Sequence, residues 1–294
     1  MTSIPAYPAS RPIALEDRGI FERIFAARPP VTSEFTFTNL YAWRRVYDFR
    51  VSVLEGFLLL SSRAHGAEKF FMPLGEGEAK AVIEKVAAGP GTSFIRLPEA
   101  LKELFEGDPR FTVAEDRDNA DYLYLTRELV ALTGRKFDGK RNLIKKFKAA
   151  YAYEYLKLDA SCVGLCLEFQ ERWCTIKDCD SQEGLRNERL AIGEMIENFA
   201  QFSLVAGAIK TGNDISAVAI AQKLNPDTLV MHVLKADPNI PGLYQAMNNE
   251  FLAREGAPFT YVNLEQDLGA EGLRKAKLSY HPLKLVMKYT ITRN

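Results

Sequence analysis

The sequence predicts an α/β (α+β) chain of two similar lobes in tandem, each a mixed, mostly antiparallel sheet flanked by helices. Three observations lead there. At 294 residues the chain is long for one core and comfortable for two domains of about 100–200 residues. It is 47% hydrophobic and 26% charged, enough to fill two interiors and keep the surface polar. One order of elements, helix then strands then alternating helix and strand, is legible twice. The boundary is expected near Thr133–Asp138, giving lobes 1–135 and 136–294.

The first lobe opens with "TSEFTFTNLYAWRRVYDF", whose Phe35, Tyr41, Trp43 and Tyr47 make it an amphipathic or fully buried helix. "RVSVLEG" and "FLLLSSR" read as strands hinged at Gly56, followed by "KFFMPLG". "EGEAKAVIEKVAAG" spaces Ala79, Val82, Ile83 and Val86 as one helical face and stops at Gly89. "TSFIRLP" reads as a strand, "EALKELFEGD" as a helix, and "RFTVAED" with "DYLYLTREL" as a closing strand pair.

The second lobe starts with a long helix at about 138–157. "EGLRNERLAIGEMIENFAQF" is next, a helix with Leu190, Ile192, Met195, Ile196 and Phe199 directed inward. "LVAGAIK", "SAVAIAQKL" and "TLVMHVLKAD" are three strands parted by "TGND" and "NPD" turns. "PGLYQAMNNEFLAREG" is a helix with Pro near its start and Gly256 at its end. "TYVNLEQD" is a strand, 271–280 a basic helix and "KLVMKYTITR" the last strand. This order is that of the GNAT acyltransferase fold, so two tandem GNAT-like lobes are expected; two generic α+β domains are the other reading.

Charge sets no global preference: Lys+Arg and Asp+Glu number 38 each. Locally, 135–157 holds eight Lys/Arg against two acids, and 268–294 holds six against one. Arg141, Lys145 and Lys148 share one helix face, with Leu143, Phe147 and Tyr151 on another. The cationic face suits a phosphate backbone such as tRNA, or is simply a solvated face. No apolar run approaches the roughly 20 residues that cross a bilayer, and the N-terminus lacks a secretory apolar region. Four cysteines, Cys162 to Cys179, lack the paired spacing of zinc sites, so reduced thiols, no metal and a cytoplasmic location are expected.

Alternation along "YVNLEQD" puts Tyr261, Asn263, Glu265 and Asp267 on one face of a strand. Two roles are open to this row. It lines the cleft where a GNAT-type sheet splays, with Glu265 or Asp267 as base or amine binder. Alternatively, Asp267 caps the following helix and Glu265 pairs with a cation from it. His232 in "VMHVL" falls on the neighbouring strand and is either a proton acceptor or a core residue. Arg274 and Lys277 are placed to stabilise developing negative charge, Tyr280 joins them as a substrate-binding candidate, and His281 before Pro282 reads as a turn residue.

"NLEQDLGAEGLRKAKLSYHP", followed by "LKLVMKY", resembles the signature of the phosphatidylglycerol lysyltransferase C-terminal-domain family. "HVLKAD", "GLYQAMNNEF", "SEFTFTNLYAWR" and "GRKFDGKRNLIKKF" resemble it too, so the likeness covers nearly the whole chain. The resemblance implies a tandem GNAT-like fold, akin to Fem-type aminoacyltransferases. The family's best-known members move lysine from lysyl-tRNA to phosphatidylglycerol and carry a membrane-embedded flippase part, of which this sequence shows nothing. Leu264 stands where the family pattern has Arg, and Leu234 where it has an acid.

The implied activity is acyl transfer, aminoacyl-tRNA-dependent, from a charged tRNA or another phosphate-rich donor to an unknown small-molecule or lipid acceptor. A non-catalytic tRNA- or polyanion-binding module and an acyl-CoA-dependent N-acyltransferase are the alternatives. Coenzyme A is disfavoured. In "ADPNIPG", two prolines remove backbone donors from the turn that would cradle its pyrophosphate, and Asp237 adds a like charge.

Overall fold

The computed structural model describes residues 3–64 and 66–294. In chain order the first part holds β1 (Arg11–Pro12), α1 (Arg18–Ala27), α2 (Phe37–Ala42), α3 (Arg44–Tyr47), β2 (Phe49–Leu54), β3 (Phe57–Ser62) and β4 (Lys69–Phe70). There follow α4 (Ala79–Val86), β5 (Ser93–Leu97), α5 (Glu99–Lys102), β6 (Phe111–Glu115), β7 (Asp121–Leu125) and α6 (Thr126–Ala131). The second part holds α7 (Asp138–Ala150), β8 (Tyr153–Leu158), α8 (Val163–Lys177), α9 (Glu183–Glu197), β9 (Leu204–Thr211), β10 (Asp214–Asn225) and β11 (Thr228–Ala236). It ends with α10 (Leu243–Arg254), β12 (Tyr261–Asn263), α11 (Glu271–Leu278), β13 (Lys284–Val286) and β14 (Tyr289–Arg293).

Two seven-stranded sheets result, in the orders β1-β2-β3-β4-β5-β14-β6 and β8-β9-β10-β11-β12-β7-β13. The plan is the same in both: an antiparallel meander, one parallel neighbour (β4 to β5, β11 to β12), then an antiparallel strand (β14, β7) and one further edge strand (β6, β13). The strand after the parallel neighbour is exchanged: β14, from the C-terminal end, fills that place in the first sheet, and β7 fills it in the second. The compact units are accordingly discontinuous. One is Met1–Asp121, Gln266–Ala270 and Leu285–Asn294; the other is Tyr122–Glu265 and Glu271–Lys284. This division replaces the single cut expected between 135 and 136. "DYLYL" and "RFTVAE" are not paired, and "KLVMKYTITR" is two strands in different sheets.

The first unit's core is aromatic and aliphatic. Val82, Ile83 and Val86 of α4 pack on Phe57, Leu59, Phe94, Leu97 and Ile291, and full burial of each such side chain contributes about 1.5–3 kcal/mol. In the second unit small residues carry the sheet: Ala206, Ala208, Ala217, Ala219 and Ala221 are all buried, which lets α10 lie close across β9–β11. Gly242 precedes α10 at φ +83°, and a Cβ there would sit 2.3 Å from the Leu143 carbonyl oxygen of α7. Only a glycine permits that approach.

Several local expectations change. The long helix at 138–157 ends at Ala150, and Tyr153–Leu158 is an edge strand. The cysteine-bearing stretch forms α8, and Cys174 is joined to Cys179 as a disulfide while Cys162 and Cys166 are free, against the expectation of four reduced thiols. In α9, Ile192, Met195 and Ile196 are buried but Leu190 is exposed. No helix among the described residues is long and apolar enough to cross a membrane.

Candidate functional site

β12 runs beside β11 for three residues only, Thr228–Val230 against Tyr261–Asn263. β11 itself continues to Ala236 along β10. From Met231 onward one edge of β11 therefore has no strand beside it among the described residues. On the β10 side the register slips: Ile220 faces Val233 and Ala221 faces Met231, so His232 is the extra residue of a bulge. Bulges re-aim side chains and interrupt pairing. The His232 side chain is 1% exposed although the residue as a whole is half-buried, so what is open at this edge is its backbone.

The chain leaves β12 because of Asn263. Its Oδ1 accepts the Glu265 N–H at 2.8 Å, a turn closed by an Asn side chain two residues back. Glu265 then sits at φ +57°, in the left-handed region that costs a side-chain-bearing residue about 1–2 kcal/mol. The turn is anchored from β7, where Tyr122 O accepts the Leu264 N–H at 2.9 Å and Tyr122 N–H donates to Glu265 O at 3.1 Å. Thus fixed, the Glu265 carboxylate meets His232 Nδ1 at 2.9 Å, and Gln222 Oε1 lies 3.4 Å from His232 Nε2. Glu265 keeps 21% of its side chain exposed. The arrangement is a part-open carboxylate held by a buried imidazole, the geometry of an oriented acid–base pair.

The alternation expected over Tyr261–Asp267 fails after Asn263. Asn263 is fully buried and shapes the turn instead of facing the cleft. Asp267 is also fully buried and belongs to the first unit. Its carboxylate holds Arg117 at 3.1 Å and the Gly269 N–H at 2.9 Å, so it is a buried ion pair and turn anchor, not a base. Gly269 permits a close approach, with a would-be Cβ 2.9 Å from Asp118 Oδ2.

Lys277 of α11 donates to Leu264 O at 2.6 Å and so borders the Glu265 turn; Arg274 is half-buried on the same helix. Tyr124 O–H donates to Lys277 O at 2.8 Å, and burial pushes that phenol's pKa up, keeping it a donor. Tyr280 is buried, with a hydroxyl that finds no partner among the described residues. Lys140 Nζ lies 4.1 Å over its ring and 2.7 Å from Ser279 Oγ, and burial draws the Lys140 pKa down. His281 packs edge-on against Phe137.

Arg141, Lys145 and Lys148 are exposed and together line a hollow of about 330 Å³ with Val130, Leu132 and Asn249. The 274–284 segment meets α7 through Lys140, whose Nζ donates to Ser279 Oγ at 2.7 Å. Arg141, Lys145 and Lys148 also differ from one another. Arg141 closes the end of α6, donating to the carbonyls of Leu132 and Gly134 and pairing with Asp138. Lys148 bonds Glu250 Oε1 at 2.5 Å, which Tyr153 O–H also reaches at 2.8 Å. Lys145 has no ion-pair partner among the described residues.

The turn from β11 into α10 borders a cavity of about 290 Å³ that includes Trp173, Lys235 and Tyr244. Its backbone donors are largely used. Asn239 N–H donates to Asp237 Oδ1 at 2.8 Å and Ile240 N–H to Asp237 O at 3.2 Å, while Pro238 and Pro241 have none. Lys235 is held by Glu188 at 2.8 Å and stacks 3.3 Å over Trp173. Sequence reasoning missed Gln222, whose only signal was one polar residue in the apolar run "SAVAIAQKL". It also missed the buried first-unit cluster of Glu34, Asp121, Gln266 and Lys288, signalled by single charges in apolar segments.

Comparison with known proteins agrees with this fold. The sequence profile of the phosphatidylglycerol lysyltransferase C-terminal family matches residues 25–292. A crystal structure of a conserved protein of unknown function from Bacteroides thetaiotaomicron is 34% identical, with a TM-score of 0.89 over 97% of this chain and 99% of that one. The C-terminal domain of a protein from Agrobacterium fabrum, named as a lysylphosphatidylglycerol synthetase, superposes with a TM-score of 0.66 at 14% identity, over 95% and 92% of the two chains. The L-PGS of Bacillus licheniformis does so at 0.65 and 12%, over 99% and 94%. No functionally curated protein matches. The tandem GNAT-like architecture expected from the sequence is the fold of this chain.

Proposed function

Because the chain belongs to the phosphatidylglycerol lysyltransferase C-terminal family, we propose that it is an acyltransferase acting in the cytoplasm. In this reading it moves an aminoacyl group from a charged tRNA, or a similar phosphate-rich donor, to an amine- or hydroxyl-bearing acceptor. The observation that carries the proposal is the 2.9 Å His232–Glu265 pair at the place where β11 and β12 part.

The division of labour follows from exposure. Glu265 is the group an acceptor can reach, and His232 lies behind it with 1% of its side chain exposed. Glu265 takes the proton as the acceptor attacks the donor's ester carbonyl. A new carbon–nitrogen or carbon–oxygen bond forms, the ester carbon–oxygen bond to the donor breaks, and the proton passes to the departing hydroxyl. His232 holds the carboxylate in position. Backbone N–H groups on the unpaired edge of β11 are suited to receive the oxyanion, the largest stabilising contribution in many acyl transfers. The ester is already activated, so positioning does most of the remaining work.

Lys145, on the exposed face of α7, is the cation best placed to meet donor phosphates. An acyl-CoA donor is less well served, because the turn at Asp237–Gly242 has spent its donors on Asp237. The test uses purified protein with labelled aminoacyl-tRNA pools and cell-extract acceptors, comparing wild type with Glu265→Gln. Loss of transfer with donor binding kept supports the assignment; an unaltered transfer rate removes it.

A further inference from the structure

The first unit has its own parting of parallel strands. β4 and β5 pair only at Lys69–Ser93 and Phe70–Phe94. Beyond them opens a cavity of about 400 Å³, within the range of small-molecule sites. Tyr47, Phe49, Phe71 and Ile95 give it apolar walls.

Lys69 and Glu115 also line it, and its less exposed polar groups are of two opposite kinds. Arg96 lines it with 17% of its side chain exposed. Nη1 donates to Glu34 Oε1 at 3.2 Å, and no other hydrogen bond holds that guanidinium among the described residues, so most of its fork is unspent. Arg96 also sits at φ +56°, a left-handed conformation that side chains disfavour and that clusters at ligand sites. The same lining carries acceptors. Among the described residues the Asp116 side chain bonds only the Asn119 amide, at 2.9 and 3.0 Å. Asn119 Oδ1 is buried with no partner among the described residues. A nearly buried cation with idle donors and a carboxylate beside an idle amide oxygen thus face one cavity with aromatic walls. Burial opposes the Arg96 charge, but Glu34, Tyr47 and Asp116 outweigh it and raise its pKa, which keeps the cation in place.

We propose that this cavity is a binding site for a small zwitterion of the α-amino-acid type with an apolar or aromatic side chain. Arg96 takes the carboxylate in a forked contact, Asp116 and Asn119 take the ammonium, and the walls of Tyr47, Phe49, Phe71 and Ile95 take the side chain. An anion alone would leave the acceptors unmet, and an amine alone would leave the guanidinium unmet. The site lies wholly in the first unit and does not rest on the transfer reading, so a failed Glu265→Gln assay leaves it standing.

The test is calorimetric titration of the full chain with L-phenylalanine, 3-phenylpropionate and 2-phenylethylamine, repeated on Asp116→Asn and Asn119→Ser. Wild type should bind the amino acid and bind each one-charge analogue at least about tenfold more weakly, the effect of one lost charge-assisted hydrogen bond. Asp116→Asn should weaken the amino acid by a similar factor and leave 3-phenylpropionate unchanged. The proposal fails if L-phenylalanine does not bind at millimolar concentration, or if all three probes bind alike. Should either variant not fold, the comparison of probes on wild type still decides.

Discussion

Lys288→Met is the substitution whose cost can be worked most directly from the structure. Lys288 is fully buried between β13 and β14 and donates to Glu34 Oε1 and Asp121 Oδ1, each at 2.6 Å. Both carboxylates are themselves buried. Asp121 retains the Ser33 N–H at 2.7 Å, the Ser33 hydroxyl at 2.9 Å and the Gln266 amide at 2.8 Å. Glu34 retains Arg96 at 3.2 Å and Gln266 at 3.2 Å. Removing the ammonium therefore leaves two hydrogen-bonded carboxylates with one cation short. Two charge-assisted hydrogen bonds at about 1.5–3 kcal/mol each, and the usual 3–5 kcal/mol for breaking a buried ion pair, agree on a loss of about 4 kcal/mol. For cooperative unfolding of 294 residues that is a fall in melting temperature of about 6–7 °C. The assay is urea unfolding of wild type, Lys288→Met, Asp121→Asn and the double variant. The double variant should be less destabilised than the sum of the singles by at least about 1 kcal/mol. A loss below about 1 kcal/mol for Lys288→Met, or strict additivity, would refute the reasoning.

Two further outcomes are expected. Lys145→Ala should weaken polyanion binding and lower its salt dependence by about one unit of slope with stability unchanged, whereas Arg141→Ala should cost about 1–3 kcal/mol by freeing the carbonyls that end α6; salt-titrated tRNA binding and urea unfolding separate the two. Burial, with a smaller contribution from Cys162, pushes the Cys166 thiol up to about 11 from 9.0, so the unfolded chain releases that proton first and stability should fall as pH rises from about 9 to 11. Iodoacetamide at pH 8 should label Cys162 well before Cys166, and equal rates would contradict the buried placement.

Much of the fold was legible because its signals are local. Val82, Ile83 and Val86 mark α4 at helical spacing, and Glu55–Gly56, both at positive φ, turn β2 into β3. Non-local facts were not legible. β7 and β14 look like closing strands of their own lobes, and nothing in "DYLYL" or "YTITR" says which sheet each completes. The charges that meet at Lys288 come from Glu34 and Asp121, and Gln266 bonds both carboxylates, so the cluster spans 254 residues of sequence. The site lies between these cases. The nearness of His232 and Glu265 was legible from their strand positions, but strand alternation misplaced their neighbours: the Asn263 side chain ends the strand by taking the Glu265 N–H, which period-two reasoning does not foresee.

In the proposed reaction Glu265 is the proton acceptor and His232 the residue that positions it. Single-turnover transfer from aminoacyl-tRNA, read beside the melting temperature, tests both on two variants. Glu265→Gln keeps the hydrogen-bonding shape and should abolish transfer while donor binding remains. His232→Gln should lower the rate by a smaller factor, because it loosens the carboxylate without removing it. Transfer at the wild-type rate in Glu265→Gln, accompanied by a lowered melting temperature, would contradict the account and leave the pair as scaffold.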